Sequence, residues 1–217
     1  MSARRMFIAA GPPGGGKSSL FSASDFAGHV FNADDRAAEL NAGSYQSIPL
    51  SVRGVVNREF EEFVHANIRA GTSFALETTL RSTITFEQAR LARENGFRVS
   101  MWYVALDNVE HHIERVRRRA ARGGHSASER TLRRIHASSL GNLPLALMPD
   151  KGGIEIVRIY DNSRFERRPS LVLEGRRGRI VRLAESVPEW LQQALGWTQD
   201  ELDRRRMEIA RHRGLPW

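Results

Sequence analysis

The chain contains no cysteine. Disulfide staples, thiolate metal sites and a cysteine nucleophile are therefore excluded. Lysine is nearly absent too: of 33 lysines and arginines, only Lys17 and Lys151 are lysine. No stretch approaches the roughly 18–20 consecutive apolar residues that a membrane-spanning helix needs. Internal repeats and low-complexity linkers are missing as well. The 217 residues therefore read as one domain over 1–217, long enough to bury a substantial core. The basic lead Met1–Arg5 precedes an apolar run of only about five residues, too short for a secretory h-region. A cytoplasmic protein without membrane association is the expectation.

What is present centres on Gly11-Pro12-Pro13-Gly14-Gly15-Gly16-Lys17-Ser18, which fits the P-loop pattern G-x-x-x-x-G-K-[ST]. Met6–Ala10 before it is a short apolar run, readable as a buried strand. Ser19-Leu20-Phe21 and the residues after them can open a helix, so the strand–loop–helix context is met. The glycines let the backbone turn its N–H groups inward around a polyphosphate, where Cβ atoms would obstruct. The helix that follows would add the positive end of its dipole. Lys17 offers a mobile charge to the β- and γ-phosphates and Ser18 a hydroxyl to Mg2+. Gly11 through Ser19 are thus the expected ATP-binding stretch. A chain that writes arginine nearly everywhere still writes lysine here, where a compact ammonium suits the cradle and a guanidinium does not.

Other chemistry sits at the ends of predicted strands. His29–Asn32 reads as a second strand ending in Asp34-Asp35. Strand ends of open parallel α/β sheets face the ligand crevice. A carboxylate there can take a proton from a substrate hydroxyl or join a Mg2+ shell, or can cap the helix that begins near Arg36. Residues 42–49 read as a loop. The spacing Val52, Val55, Val56, Phe60, Phe63, Val64, Ile68 predicts a helix over about 50–70, closed by Gly71, with His65 structural. Ser73–Thr79 reads as a buried strand carrying Glu77, a substrate or metal-shell ligand or else the partner of Arg81. A helix over 83–94 and a long apolar strand over 97–106 follow. That strand has no carboxylate until Asp107, so it shows no Walker B aspartate.

The segment from Ile113 to His125 is the most basic and runs off a helix into Gly123-Gly124. A second helix over 126–139 is expected. Arginines on such a lid neutralise transition-state charge, and closure excludes water. Ile154–Tyr160 reads as the last parallel strand, followed by Asp161-Asn162-Ser163. Leu171–Leu183 with a turn at Gly175–Gly178 reads as a β-hairpin. Helices over 188–195 and 198–211 close the chain, with Trp190 and Trp197 as packing residues. The alternation implies a three-layer α/β P-loop kinase fold: a mainly parallel five-stranded sheet, a helical lid, and a C-terminal hairpin plus helices. The net charge of +8 and pI near 10.9 fit an anionic partner equally with an arginine-for-lysine composition bias.

The strings GPPGGGKSS, FNADD, SFALETTLRS, RVRRRAARGGHSASE and IYDNS, in that order over about residues 5–165, resemble the zeta-toxin family of P-loop kinases, in its compact stand-alone bacterial branch. Residues from about 166 onward fall outside the resemblance. It implies transfer of the ATP γ-phosphate to a hydroxyl, best known as the 3′-hydroxyl of UDP-N-acetylglucosamine. On that resemblance Asp34 is the catalytic base and a Mg2+ ligand with Ser18, and Lys17 acts on phosphate. Glu77 and Thr78 contact substrate, with Asn32, Asp35 and Arg81 beside them. Arg118 and Arg122 act on the γ-phosphate. The carboxylate pair stands in NADD, and the long C-terminal extension of the streptococcal toxins is missing, which bears on the acceptor more than on the phosphotransfer. The chain has no recognisable antitoxin segment, so a neutralising antitoxin would be a separate chain.

Two other readings stay open. One is a P-loop kinase of another acceptor: a nucleoside, a nucleic-acid end or another metabolite. The other is a nucleotide-binding regulatory ATPase, or one that binds nucleic acid. The Arg-rich stretch lacks interleaved aromatics, which argues against a single-strand platform. The donor base, ATP or GTP, is not read by any pattern, although Arg164 and Arg167 are placed to touch it.

Overall fold

The computed structural model describes residues 3–21, 26, 28–124, 127–164 and 168–213. His125 and Arg167, both named above, lie outside these. In chain order the elements are β1 (Arg5–Ala10), α1 (Lys17–Leu20), β2 (His29–Phe31), α2 (Ala33–Glu39), α3 (Leu50–Ala70), β3 (Phe74–Thr78), α4 (Ile84–Glu94), β4 (Arg98–Ala105), α5 (Val109–Ala120), α6 (Glu129–Ala146), α7 (Pro149–Gly152), β5 (Ile156–Asp161), β6 (Ser170–Arg176), β7 (Arg179–Leu183), α8 (Glu189–Leu195) and α9 (Gln199–Arg213).

The strands form one sheet in the order β2-β3-β1-β4-β5-β6-β7. β1 to β5 pair in parallel. β1 is central, with Ile8 beside both Leu76 and Met101. The chain leaves β1 first toward β3 and later toward β4, so the order reverses at its carboxyl end. That is where open α/β sheets place their ligand crevice, and it is where the glycine loop emerges.

The period of two along the strands sorts the core. Met6, Ile8, Phe74, Leu76, Met101, Tyr103 and Ile159 face one side and pack with Val64, Ile68, Phe86, Leu143 and Leu191 from the helices. The buried Tyr103 hydroxyl meets Ser139 Oγ at 3.0 Å, so its polar tip is satisfied. Phe7, Ala9 and Ala75 face the other side under Phe21, Phe26 and Trp102. Trp190 is buried and its ring N–H donates to Asp161. Trp197 packs against the main core. His65 is exposed.

Four departures from the sequence reading have physical causes. The sheet has seven strands because the predicted hairpin extends it: β6 pairs antiparallel with β5, Arg158 opposite Glu174. Glu174 is buried there between Arg158 and Arg176. A hairpin pattern does not say which edge it joins. α1 is a single turn, because Phe21 turns extended (φ −135°, ψ 122°) to set its ring 4.4 Å from Phe7. α6 runs to Ala146 through Pro144. Proline forfeits one backbone hydrogen bond in the last turn, and burial of Leu143 and Ala146 offsets that loss. The short α7 has no amphipathic period long enough to read.

Candidate phosphate-binding site and its surroundings

The loop from Gly11 to Gly16 is folded by conformations that only glycine adopts cheaply. Gly11 has φ 138° and Gly16 φ 99°. A Cβ on Gly11 would lie 2.1 Å from the Val104 carbonyl oxygen, and one on Gly16 2.2 Å from Asn162 Nδ2. The first obstacle is backbone of the central sheet, which cannot move aside. Gly11→Ala is expected to destabilise the protein by about 3 kcal/mol or more, read as a lower midpoint in urea unfolding at unchanged slope.

Lys17 opens α1 and is buried. Its Nζ donates to the carbonyls of Gly11 at 2.9 Å and Pro12 at 3.4 Å and stands 3.5 Å from Glu77 Oε1. Burial pushes the ammonium below its ordinary value. The charges of Glu77 and Asp34 oppose that, and Arg119 adds to it. Three sequence-distant carboxylate and cationic groups thus act on one ammonium. Ser18 and Ser19 are exposed at the loop mouth.

Asn32 is the N-cap of α2. Its side-chain oxygen accepts from the Asp34 and Asp35 N–H groups at 3.0 and 3.4 Å. Asparagine thus caps the helix, and both aspartates lie in its first turn. Arg36 grips Glu59 of α3 through Nε at 2.7 Å and Nη2 at 3.0 Å, fixing α2 against α3. Asp35 accepts from the Tyr45 hydroxyl at 2.8 Å, and that contact holds the Tyr45 phenol above its usual value. Gln46 reaches Gly124 O at 3.3 Å, so the loop over 41–49 touches the end of the arginine-rich segment.

Glu77, at the end of β3, faces Lys17 and not Arg81, which is exposed. The Thr78 hydroxyl accepts from Leu80 N–H at 3.1 Å, within a turn where Leu80 takes φ 56°. Its carbonyl accepts from Gly11 N–H at 3.2 Å. β3 therefore anchors the start of the loop.

α5 begins under an Asn108 cap and lies across the loop. Arg115, Arg118, Arg119, Arg122 and Gly124 line a cavity of about 390 Å3. Arg118 also pairs with Glu114 at 2.7 Å. Arg115 Nη2 donates to Asn162 O at 2.9 Å. Of these arginines it is Arg119 whose charge bears on Lys17. Arg118 and Arg122, named from the sequence, thus share this cavity with Arg115 and Arg119, which the sequence did not mark, since register on a helix with arginines at 115, 117, 118, 119 and 122 does not show which face meets the loop.

Two further residues had no assigned role. His112 is buried. Its Nε2 accepts from Leu106 N–H at 3.0 Å, which leaves the hydrogen on Nδ1 to donate to Pro13 O at 3.0 Å. Asn162 Nδ2 donates to Gly15 O at 2.9 Å. The string IYDNS pointed at Asn162 without saying what it does. Nothing local marks His112.

Ser18, Asp34 and Glu77 offer oxygen donors of the kind Mg2+ takes. Among the described residues no group of three or more histidines, aspartates or glutamates could hold a metal alone. Mg2+ is commonly held by one or two protein oxygens together with substrate phosphates. No helix among the described residues is long and apolar enough to cross a membrane.

No protein-family model matches the sequence. The chain is 28% identical over 120 residues to an uncharacterized protein of Haemophilus influenzae, 55% of this chain and 83% of that protein. Its structure is similar to a chain of the PezAT chromosomal toxin–antitoxin system of Streptococcus pneumoniae, with TM-score 0.60, 17% identity, and 96% of this chain and 88% of that chain covered. It is also similar to a chain of the AvrRxo1-ORF1:AvrRxo1-ORF2 complex solved with ATP, with TM-score 0.63, 14% identity, and coverage of 98% and 75%. At the level of the fold, the resemblance to zeta-toxin kinases holds.

Proposed function

We propose that this chain is an ATP-dependent kinase of zeta-toxin type. It moves the γ-phosphate to a hydroxyl of a small, anionic acceptor, and the 3′-hydroxyl of UDP-N-acetylglucosamine is the acceptor to try first. The observation that carries the proposal is the convergence at Lys17. A buried P-loop ammonium faces Glu77 at 3.5 Å, feels the charge of Asp34, and lies beside a helix with four arginines around one cavity. A regulatory nucleotide-binding module needs the loop but not a carboxylate at the transfer point with cations opposite.

In this reading bound ATP supplies the phosphoryl group, and Mg2+ neutralises charge on its oxygens. Ser18 and Asp34 would hold the ion. Loop N–H groups that have no acceptor among the described residues, those of Gly14 and Gly16, bind phosphate oxygens. Lys17 leaves the Gly11 and Pro12 carbonyls for the β- and γ-phosphates. Asp34 accepts the proton of the acceptor hydroxyl as the new P–O bond forms. Arginines of α5 balance charge on the equatorial oxygens. Glu77, Thr78, Asn32, Asp35 and Arg81 rim the acceptor side, where Glu77 holds Lys17 in line and Asn32 orients Asp34 through its cap. The toxin–antitoxin origin of a structural neighbour supports a separate antitoxin chain as partner, and the fold neighbour solved with ATP supports ATP as donor. Cytoplasmic location follows from the need for ATP.

Mass spectrometry of the protein with ATP, Mg2+ and UDP-N-acetylglucosamine tests the proposal, with Lys17→Ala as the blank. A product heavier by one phosphate and absent from the blank is expected. ATP turnover without that product would send the acceptor search to other hydroxyls. A protein that neither binds nor turns over ATP would overturn the kinase reading.

A further inference from the structure

A phosphate cradle of backbone amides needs each peptide plane turned so that N–H faces the anion and C=O faces away. Glycines do not enforce this, because both orientations are accessible to them. The peptide is planar, so fixing a carbonyl fixes the amide that shares its plane. The Pro13 carbonyl shares its plane with Gly14 N–H, and the Gly15 carbonyl with Gly16 N–H. Those two carbonyls are held by side chains far away in the sequence, Pro13 O by His112 Nδ1–H at 3.0 Å and Gly15 O by Asn162 Nδ2–H at 2.9 Å. Among the described residues, neither Gly14 N–H nor Gly16 N–H has an acceptor, so both are open to a ligand.

We propose that His112 and Asn162 are positioning residues that clamp the outer carbonyls of the P-loop and thereby aim the Gly14 and Gly16 amides at the nucleotide phosphates. This rests on the reading of the loop as a nucleotide site. Both clamps are themselves held. His112 is 2% exposed and Asn162 8%. The Leu106 amide fixes the His112 ring from its other nitrogen. The edge of His136 packs on it, with centroids 4.9 Å apart. Burial pushes His112 down to about 3, so the ring stays neutral and donates from Nδ1 alone. Asn162 N–H donates to Ala105 O at 2.9 Å, and its carbonyl accepts from Arg115. Arg115 also stands on the cavity wall. One run of contacts therefore joins loop, β5 terminus and arginine helix, so that the amide side and the arginine side of the site are set in a common frame.

Paired substitutions at His112 separate aiming from simple support. Asparagine can place an N–H where Nδ1 stands but cannot reach Leu106. Glutamine can place an oxygen where Nε2 stands but gives Pro13 no donor. Mg-ATP affinity is measured by calorimetry, with the melting temperature of the unliganded protein recorded beside it. The clamp predicts that His112→Asn stays within about twofold of the wild type and that His112→Gln weakens Mg-ATP roughly tenfold, the scale of one lost hydrogen bond. Asn162→Leu, which keeps the shape and removes the donor, is expected to weaken it by a similar factor. The reverse order, with glutamine tolerated and asparagine not, would mean that His112 only satisfies Leu106, and would overturn the proposal. Equal affinity in wild type, His112→Gln and Asn162→Leu would overturn it as well. If neither His112 variant folds, Asn162→Leu alone decides. A wild-type protein that binds no Mg-ATP overturns the nucleotide reading itself, an outcome distinct from wild-type binding with indifferent variants.

Discussion

Lys17→Ala is expected to lower phosphoryl transfer by at least about a thousandfold, read with labelled ATP under saturating Mg2+. Removing a single preorganised donor from a developing anion costs about 10²–10³ in rate, and here more than a donor is lost. The ammonium is buried and holds the Gly11 and Pro12 carbonyls. Without it Glu77, its neighbour at 3.5 Å, leaves an uncompensated negative charge beside the phosphate site. Mg-ATP binding is therefore expected to weaken together with turnover. Lys17→Arg is not expected to rescue either. The guanidinium is planar and larger, and the site at Lys17 is enclosed by loop carbonyls on one side and β3 on the other. Near-normal turnover in Lys17→Ala would remove the P-loop lysine from the chemistry.

Asp34→Asn is expected to lower kcat by about 10²–10⁴, the range for loss of a positioned general base, and to weaken Mg-ATP binding by a smaller factor through loss of one charged oxygen beside the ion. The substitution keeps size and the first-turn position on α2. The Asn32 cap and the Arg36–Glu59 grip remain, so folding is not the variable. Asp35→Asn is the internal control. Asp35 is exposed and its carboxylate is taken by Tyr45, and its loss is expected to cost roughly tenfold or less in kcat, since it orients a loop and accepts no proton. If Asp34→Asn turned over like wild type while Asp35→Asn did not, the base would be the second aspartate and the loop over 41–49 would have to open to expose it.

Much of this architecture follows from local pattern. The helix from Leu50 to Ala70 appears in the sequence as an apolar stripe with a glycine stop, and Gly71 indeed closes it at φ 65°. The hairpin turn at Arg177-Gly178 and the five parallel strands are legible the same way, because period and turn chemistry are properties of neighbouring residues. The loop itself is legible because its glycines and lysine are required by one geometry, in sequence order. The joining of the hairpin to β5 was not legible, because strand pairing depends on partners far along the chain.

The sequence by itself determined the phosphate loop, the strand-end carboxylates and a surplus of arginine. Each depends on residue type at short spacing, where backbone sterics and periodicity act. Only the tertiary structure decided what those groups face. Asn32 became the cap of α2, with both aspartates in its first turn. Glu77 turned to Lys17. Arg115, Arg118, Arg119 and Arg122 came to line one cavity by the way α5 crosses the loop. His112 and Asn162 met two loop carbonyls across 99 and 147 residues of chain. Contacts of that range are set by how helices and strands pack as whole bodies, and no local pattern encodes them.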